Sequence, residues 1–193
     1  MNRNLFLRAC LSAAAFLSPP IAALSQFKKR ERGDKCIKVK AGKDRFNKPI
    51  SLFAGDTFYT KVSSEDTNGD VYVFESTRVK EGGPTQHLHY DQDEFWYVIK
   101  GEFLFKVGEE TFTAKAGDTV FGPRKVTHAF AKVGEGEAKL LMFFQPAGKM
   151  EEAFKKVSDG ATKKMTPEQL DAFWDQHGVK RMGPALTYDK TNQ

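Results

Sequence analysis

Cysteine is nearly absent: there are two in 193 residues, Cys10 and Cys36. Cys10 falls in the first 25 residues, which read as an export signal and leave with it. One remaining thiol closes no internal disulfide, so the mature fold must be held by packing and by whatever its polar side chains bind. Cys36 lies in a charged segment and reads as an unpaired thiol without a chemical role. Long apolar runs are missing too. The stretch Leu11 to Leu17 is stopped by Pro19-Pro20 and is too short for a bilayer span of about 20 residues. No block of one charge stands out except Lys28-Lys29-Arg30, which reads as a solvated tail; removal of Arg3 and Arg8 lowers the formal charge from +5 to +3. Nucleic acid is therefore not an expected partner. Residues 50–146 show no helical periodicity.

The N-terminal segment has the parts of a signal peptide: Arg3 and Arg8 around a short basic region, an apolar core, and Ala23-Leu24-Ser25 ahead of a cut at Gln26. The expected organisation is a signal peptide over 1–25, an N-terminal segment over 26–46, a β-barrel over 47–148 and a helical extension over 149–193. The alternation Ile37-Lys38-Val39-Lys40 makes 26–46 a candidate edge strand. The protein is expected in the periplasm or secreted, without stable membrane insertion once the signal is cut.

From Pro49 onward, short β-branched and aromatic runs alternate with turn residues. Strands are expected at Phe58–Val62, Val71–Phe74, Gln86–His89, Phe95–Ile99, Phe103–Val107, Glu110–Thr113, Thr119–Phe121, Thr127–Phe130 and Ala138–Phe144. Many short strands with glycine-rich turns predict an all-β fold, a closed antiparallel barrel or sandwich. Seventeen phenylalanines supply bulky strand packing or an aromatic pocket. Tyr72, Phe74, Gln86, Trp96 and Phe105 are candidates for the pocket, with core the favoured reading, because alternation turns half of any barrel's aromatics inward. After Pro146 the pattern changes. Met150, Ala153, Phe154 and Val157 share a helical face. Thr166-Pro167-Glu168-Gln169 then supplies an N-cap, a first-turn proline and a capping-box glutamine for a helix that ends at Gly178. These helices are expected to brace or cover the barrel, with His177 as a C-terminal cap or an exposed side chain.

Histidine is scarce, yet three of the four sit in one pattern: His87-Leu-His89, Glu94 and His128. Two residues apart on a strand, His87 and His89 point to one face. The polar stretch Tyr90-Asp91-Gln92-Asp93 can turn the chain back antiparallel and aim Glu94 at the same point, with His128 arriving from a later strand. Three imidazoles and a carboxylate form a mixed N/O set suited to Fe, Mn, Ni, Cu or Zn. They fill four of six octahedral positions and leave two adjacent ones for ligands from outside.

These residues resemble the two motifs of the cupin superfamily, over about half the chain. Gly82, His87, His89, Glu94 and Gly101 follow the first motif, with the leading glycine one residue closer to the first histidine. Gly117, Pro123 and His128 follow the second, with Lys125 and Lys132 in place of its later glycine and its asparagine. The resemblance implies a double-stranded β-helix, the jelly-roll barrel, with a divalent transition metal on His87, His89, Glu94 and His128. It also implies a quercetinase-like dioxygenase acting on a small enolisable or phenolic substrate, with Glu94 as ligand and base. A non-redox isomerase or decarboxylase and a non-catalytic binder of small ligands stand as alternatives. At the family level a homodimer is implied, with the N-terminal segment as a candidate exchanged strand.

Overall fold

The computed structural model describes residues 32–52 and 55–188. The expected export signal, Cys10 and the run Lys28-Lys29-Arg30 lie outside them. The alternating runs become strands β1 (Asp56–Val62), β2 (Tyr72–Arg78), β3 (Thr85–His89), β4 (Asp93–Lys100), β5 (Glu102–Val107), β6 (Glu110–Lys115), β7 (Thr119–Gly122), β8 (His128–Val133) and β9 (Ala138–Gln145). Helix α1 (Met150–Ser158), helix α2 (Pro167–Gln176) and strand β10 (Val179–Ala185) follow. The strands form two five-stranded antiparallel sheets in the orders β1-β2-β9-β4-β7 and β10-β3-β8-β5-β6, a jelly roll.

Between the sheets lies an aromatic layer. Tyr72, Phe74, Trp96, Phe103 and Phe105 are fully buried, as the alternation requires. Phe58 and Phe74 stack at 4.6 Å, and Phe154 from α1 meets Phe74 edge-on at 5.6 Å. Each such ring contributes about 1.5–3 kcal/mol by leaving water, so this layer dominates the folding free energy. Gly101 links β4 to β5 at φ 81°, and a Cβ there would come within 2.6 Å of the Ala138 Cβ. Both the turn and the close approach require glycine.

The helices form as the spacing predicts. Met150, Ala153, Phe154 and Val157 are buried on α1. On α2 the Thr166 hydroxyl accepts from Gln169 N at 3.3 Å, while Gln169 Oε1 accepts from Thr166 N at 2.9 Å, closing the capping box. His177 is the C-cap but is buried rather than exposed. Its Nδ1 donates to Phe173 O at 2.6 Å, and Nε2 accepts from Lys156 Nζ at 3.3 Å.

Three local expectations differ from the structure. The alternation at Ile37–Lys40 forms no strand, and residues 32–46 hold none; Ile37 is exposed, and two apolar side chains give too little area to bind a sheet edge. Residues 44–48 are instead pinned by Asp44, whose carboxylate accepts from Phe46 N, Lys48 N and Thr60 N. The stretch Tyr90–Gln92 does not build a hairpin. It carries the chain from β3 in one sheet to β4 in the other. The helical extension also ends in a strand: β10 pairs with β3, in register at Val179–His89 and Arg181–His87. Val179-Lys180-Arg181-Met182-Gly183-Pro184-Ala185 has too few apolar side chains to announce itself as a strand.

Candidate metal centre

Strand pleat and register assemble the four candidate ligands. His87 and His89 leave β3 on the same face, and His128 on β8 is the direct cross-strand partner of His87. Glu94 on β4 projects from the opposite sheet, so the set bridges the two layers. All four donor atoms fall within 4.8 Å of one another. His89, Glu94 and His128 are buried, at 0%, 2% and 0% exposure, and only His87 is partly open.

Neighbouring contacts fix the orientation of these rings. Trp96 meets His128 edge-on at 5.3 Å, and Phe144 lies 5.1 Å from His89. Gly122, paired with Glu94 across β4 and β7, leaves room for the indole, since a Cβ there would lie 2.7 Å from Trp96. Asp93 binds the backbone N of Arg124 at 2.9 Å and its Nε at 3.1 Å, tying the residue before Glu94 to the turn before His128. In that turn Lys125 holds φ 65°, the left-handed conformation that the missing glycine would adopt without strain. Lys132, in place of the motif's asparagine, is buried and donates to Gly134 O at 2.5 Å.

Hydrogen bonding shows what the centre can hold. His87 Nδ1 lies 2.8 Å from Thr85 O and His128 Nδ1 lies 3.0 Å from Val126 O. A carbonyl only accepts, so both Nδ1 atoms carry the hydrogen, and a neutral ring then presents its Nε2 lone pair inward. His128 Nε2 stands 3.1 Å from Glu94 Oε2, and His89 Nε2 stands 3.2 Å from the same oxygen. For His128 these are two acceptors, which repel at that distance unless positive charge lies between them, whereas His89 Nδ1 has no partner and its Nε2–H can donate to Glu94. A transition metal with bonds of about 2.0–2.2 Å to N and O places neighbouring ligand atoms about 3 Å apart, so the donor set fits such an ion.

Burial alone would raise the Glu94 carboxyl, but its contacts with His128 and His89 outweigh it and hold the group at about 2. Burial, and then the neighbouring His128 and His89, push His87 down to about 3. Unfolded, His87 would titrate near 6.5. As pH falls from there towards 3, the unfolded chain gains a proton that the folded chain refuses. Glu94 acts in the same direction below its ordinary 4.5. The metal-free protein should therefore be most stable above about pH 6.5 and lose stability steadily on acidification. Urea midpoints measured from pH 7 to pH 4 check this, and a flat profile would contradict it.

Beside the centre, a cavity of about 220 Å³ opens between the sheets. That is far more than the ~30 Å³ share of one liquid water, and it admits a small organic molecule. His87 and Glu94 border it, while His89 and His128 do not. Its walls are Phe58, Phe130, Phe144 and Met142 from the barrel, Phe154 from α1, and Leu170 and Trp174 from α2. The helices therefore complete the cavity. Tyr72, Phe74, Trp96 and Phe105 are core as favoured, and Gln86 hydrogen-bonds Pro184 O instead of lining the cavity.

The site reading from sequence missed Arg78, which lines the same cavity at 3% exposure. The signal was present. Tyr72, Phe74, Ser76 and Arg78 are the inward positions of β2, and the alternation that buries the tyrosine also buries the arginine.

A family model described as a cupin domain matches residues 73–144. The chain is 33% identical over 60 residues to the uncharacterised protein MJ1618 of Methanocaldococcus jannaschii, covering 31% of this chain and 48% of that protein. It is 31% identical over 62 residues to the polyketide synthase CurC of Streptomyces cyaneus, covering 32% and 40%. The chain thus spans less than half the length of the curated relatives it matches. KdgF from Halomonas sp. superposes with a TM-score of 0.46 at 18% identity, covering 51% of this chain and 86% of that structure.

Proposed function

From the premise that this chain is a member of the cupin superfamily, with its cupin domain at residues 73–144, we propose a metal-dependent oxidoreductase, a dioxygenase acting on a small enolisable or phenolic substrate. One observation carries the reading: a three-histidine, one-glutamate set whose donor atoms lie within 4.8 Å of one another and could hold a metal ion faces an aromatic-walled cavity through His87 and Glu94. A divalent transition metal held by His87, His89, Glu94 and His128 would supply a Lewis acid and, if redox-active, one-electron exchange with O₂.

The chain's own residues do the rest. Glu94, ionised at neutral pH and bordering the cavity, accepts the proton of an acidic enol or phenol. Phe144 and Phe154 offer ring faces to a planar substrate, and Leu170 and Trp174 on α2 shield it from water.

Oxygen uptake by Fe-, Mn-, Ni- and Cu-loaded protein, tested over a panel of phenols and enolisable ketones, checks the proposal. Turnover that needs O₂ supports it. Equal turnover under nitrogen would identify a non-redox isomerase or decarboxylase. A ligand that stabilises the protein yet is recovered unchanged would identify a binding module.

A further inference from the structure

The cavity beside the metal centre has a second charged wall. Arg78 closes β2 and faces the cavity that His87 and Glu94 border. Its Nη1 meets Asp56 Oδ2 at 2.8 Å, across the register pair that joins β1 to β2. Its guanidinium lies 4.6 Å from the centre of the Phe130 ring. Nε is buried with no hydrogen-bond partner.

A guanidinium is a fork of five N–H donors, and a purely structural buried arginine is expected to spend them on a two-point carboxylate grip. Asp56 reaches Nη1 here, and Nε is left without an acceptor. Burial outweighs the attraction of Arg78 and raises the Asp56 carboxyl, so Asp56 competes weakly for the cation. A buried donor without an acceptor costs free energy that an incoming anion would recover. The neighbouring walls, Phe58, Phe144 and Phe154, offer no acceptor of their own and favour an apolar body.

We propose that Arg78 binds the carboxylate of the substrate, which is a small aromatic or apolar carboxylic acid with its reacting end at His87 and Glu94. The inference rests on the metal-dependent reading above and adds the charge that the substrate carries.

Benzoate and benzamide share a ring and differ in charge. In calorimetric titrations of the metal-loaded full chain, benzoate should bind about tenfold or more tightly than benzamide. Asp56→Asn frees the guanidinium and should tighten benzoate further, which a merely structural ion pair would not do. The double variant Arg78→Met with Asp56→Asn leaves no charge buried alone and should erase the preference, with metal content and circular dichroism unchanged. Equal binding of the two probes, no binding of either at millimolar concentration, no tightening in Asp56→Asn, or a preference that survives the double variant would each overturn the proposal. A His128→Ala protein separates the two readings. A benzoate preference kept there but lost in the double variant supports Arg78 whether or not the proposed chemistry holds. A preference lost with His128 and kept without Arg78 puts the carboxylate on the metal centre and overturns the assignment.

Discussion

His128→Ala should strip the protein of its metal. The ring is fully buried, its Nδ1 is committed to Val126 O, and its Nε2 is one of only two imidazole nitrogens within 3.2 Å of Glu94 Oε2. Alanine removes a donor that no neighbour replaces and lets water into the gap. Loss of a residue that only orients a ligand costs 10–100-fold in metal affinity, so removal of the ligand itself should cost at least about a hundredfold. Plasma mass spectrometry of purified protein should show near-stoichiometric transition metal in the native chain and background in the variant. Added metal should raise the melting temperature of the native protein alone. Full metal content in folded His128→Ala would place the centre elsewhere.

Trp96→Ala should give the largest loss of stability. The indole is fully buried at the centre of β4, 5.5 Å from Phe105, 6.0 Å from Phe130 and 5.3 Å from His128. Truncating a buried Trp or Phe to alanine costs about 3–5 kcal/mol, out of a total folding free energy of about 5–15 kcal/mol. At about 2–4 °C per kcal/mol, the melting temperature should fall by about 6–20 °C. Trp96→Phe should cost less, because it keeps a ring and removes a buried indole N–H that has no partner. Chemical denaturation of the three proteins orders them. A loss below about 1 kcal/mol for the alanine variant would contradict the packing described for β4.

The cluster that could hold a metal ion was legible in the sequence because its signal is local. His87 and His89 sit two apart, and a strand puts such residues on one face whatever surrounds them. The capping box at Thr166 and the apolar face of α1 were legible for the same reason. What stayed hidden depended on pairing over distance. Tyr90–Gln92 are polar in a hairpin and polar in a crossing between sheets, so composition could not tell the two apart. Arg78 lies four positions beyond the run Val71–Phe74 read as a strand, and it is pairing with Asp56 on β1 and with β9 that carries β2 on to Arg78. Strand β10 owes its place to the open edge of β3 rather than to its own side chains.

That last pairing has a consequence for the order of events during synthesis. All four candidate ligands have been polymerised once His128 is added, but β3, which carries two of them, gains its second neighbour only when Val179–Ala185 follow. At about 5–20 residues per second, the interval from the end of β8 at Val133 to the end of β10 is roughly 3–10 s. Through that interval the His87–His89 strand is a bare sheet edge, the kind of surface that recruits other chains. The last strand among the described residues therefore protects the nascent chain at the position where it carries its candidate ligands.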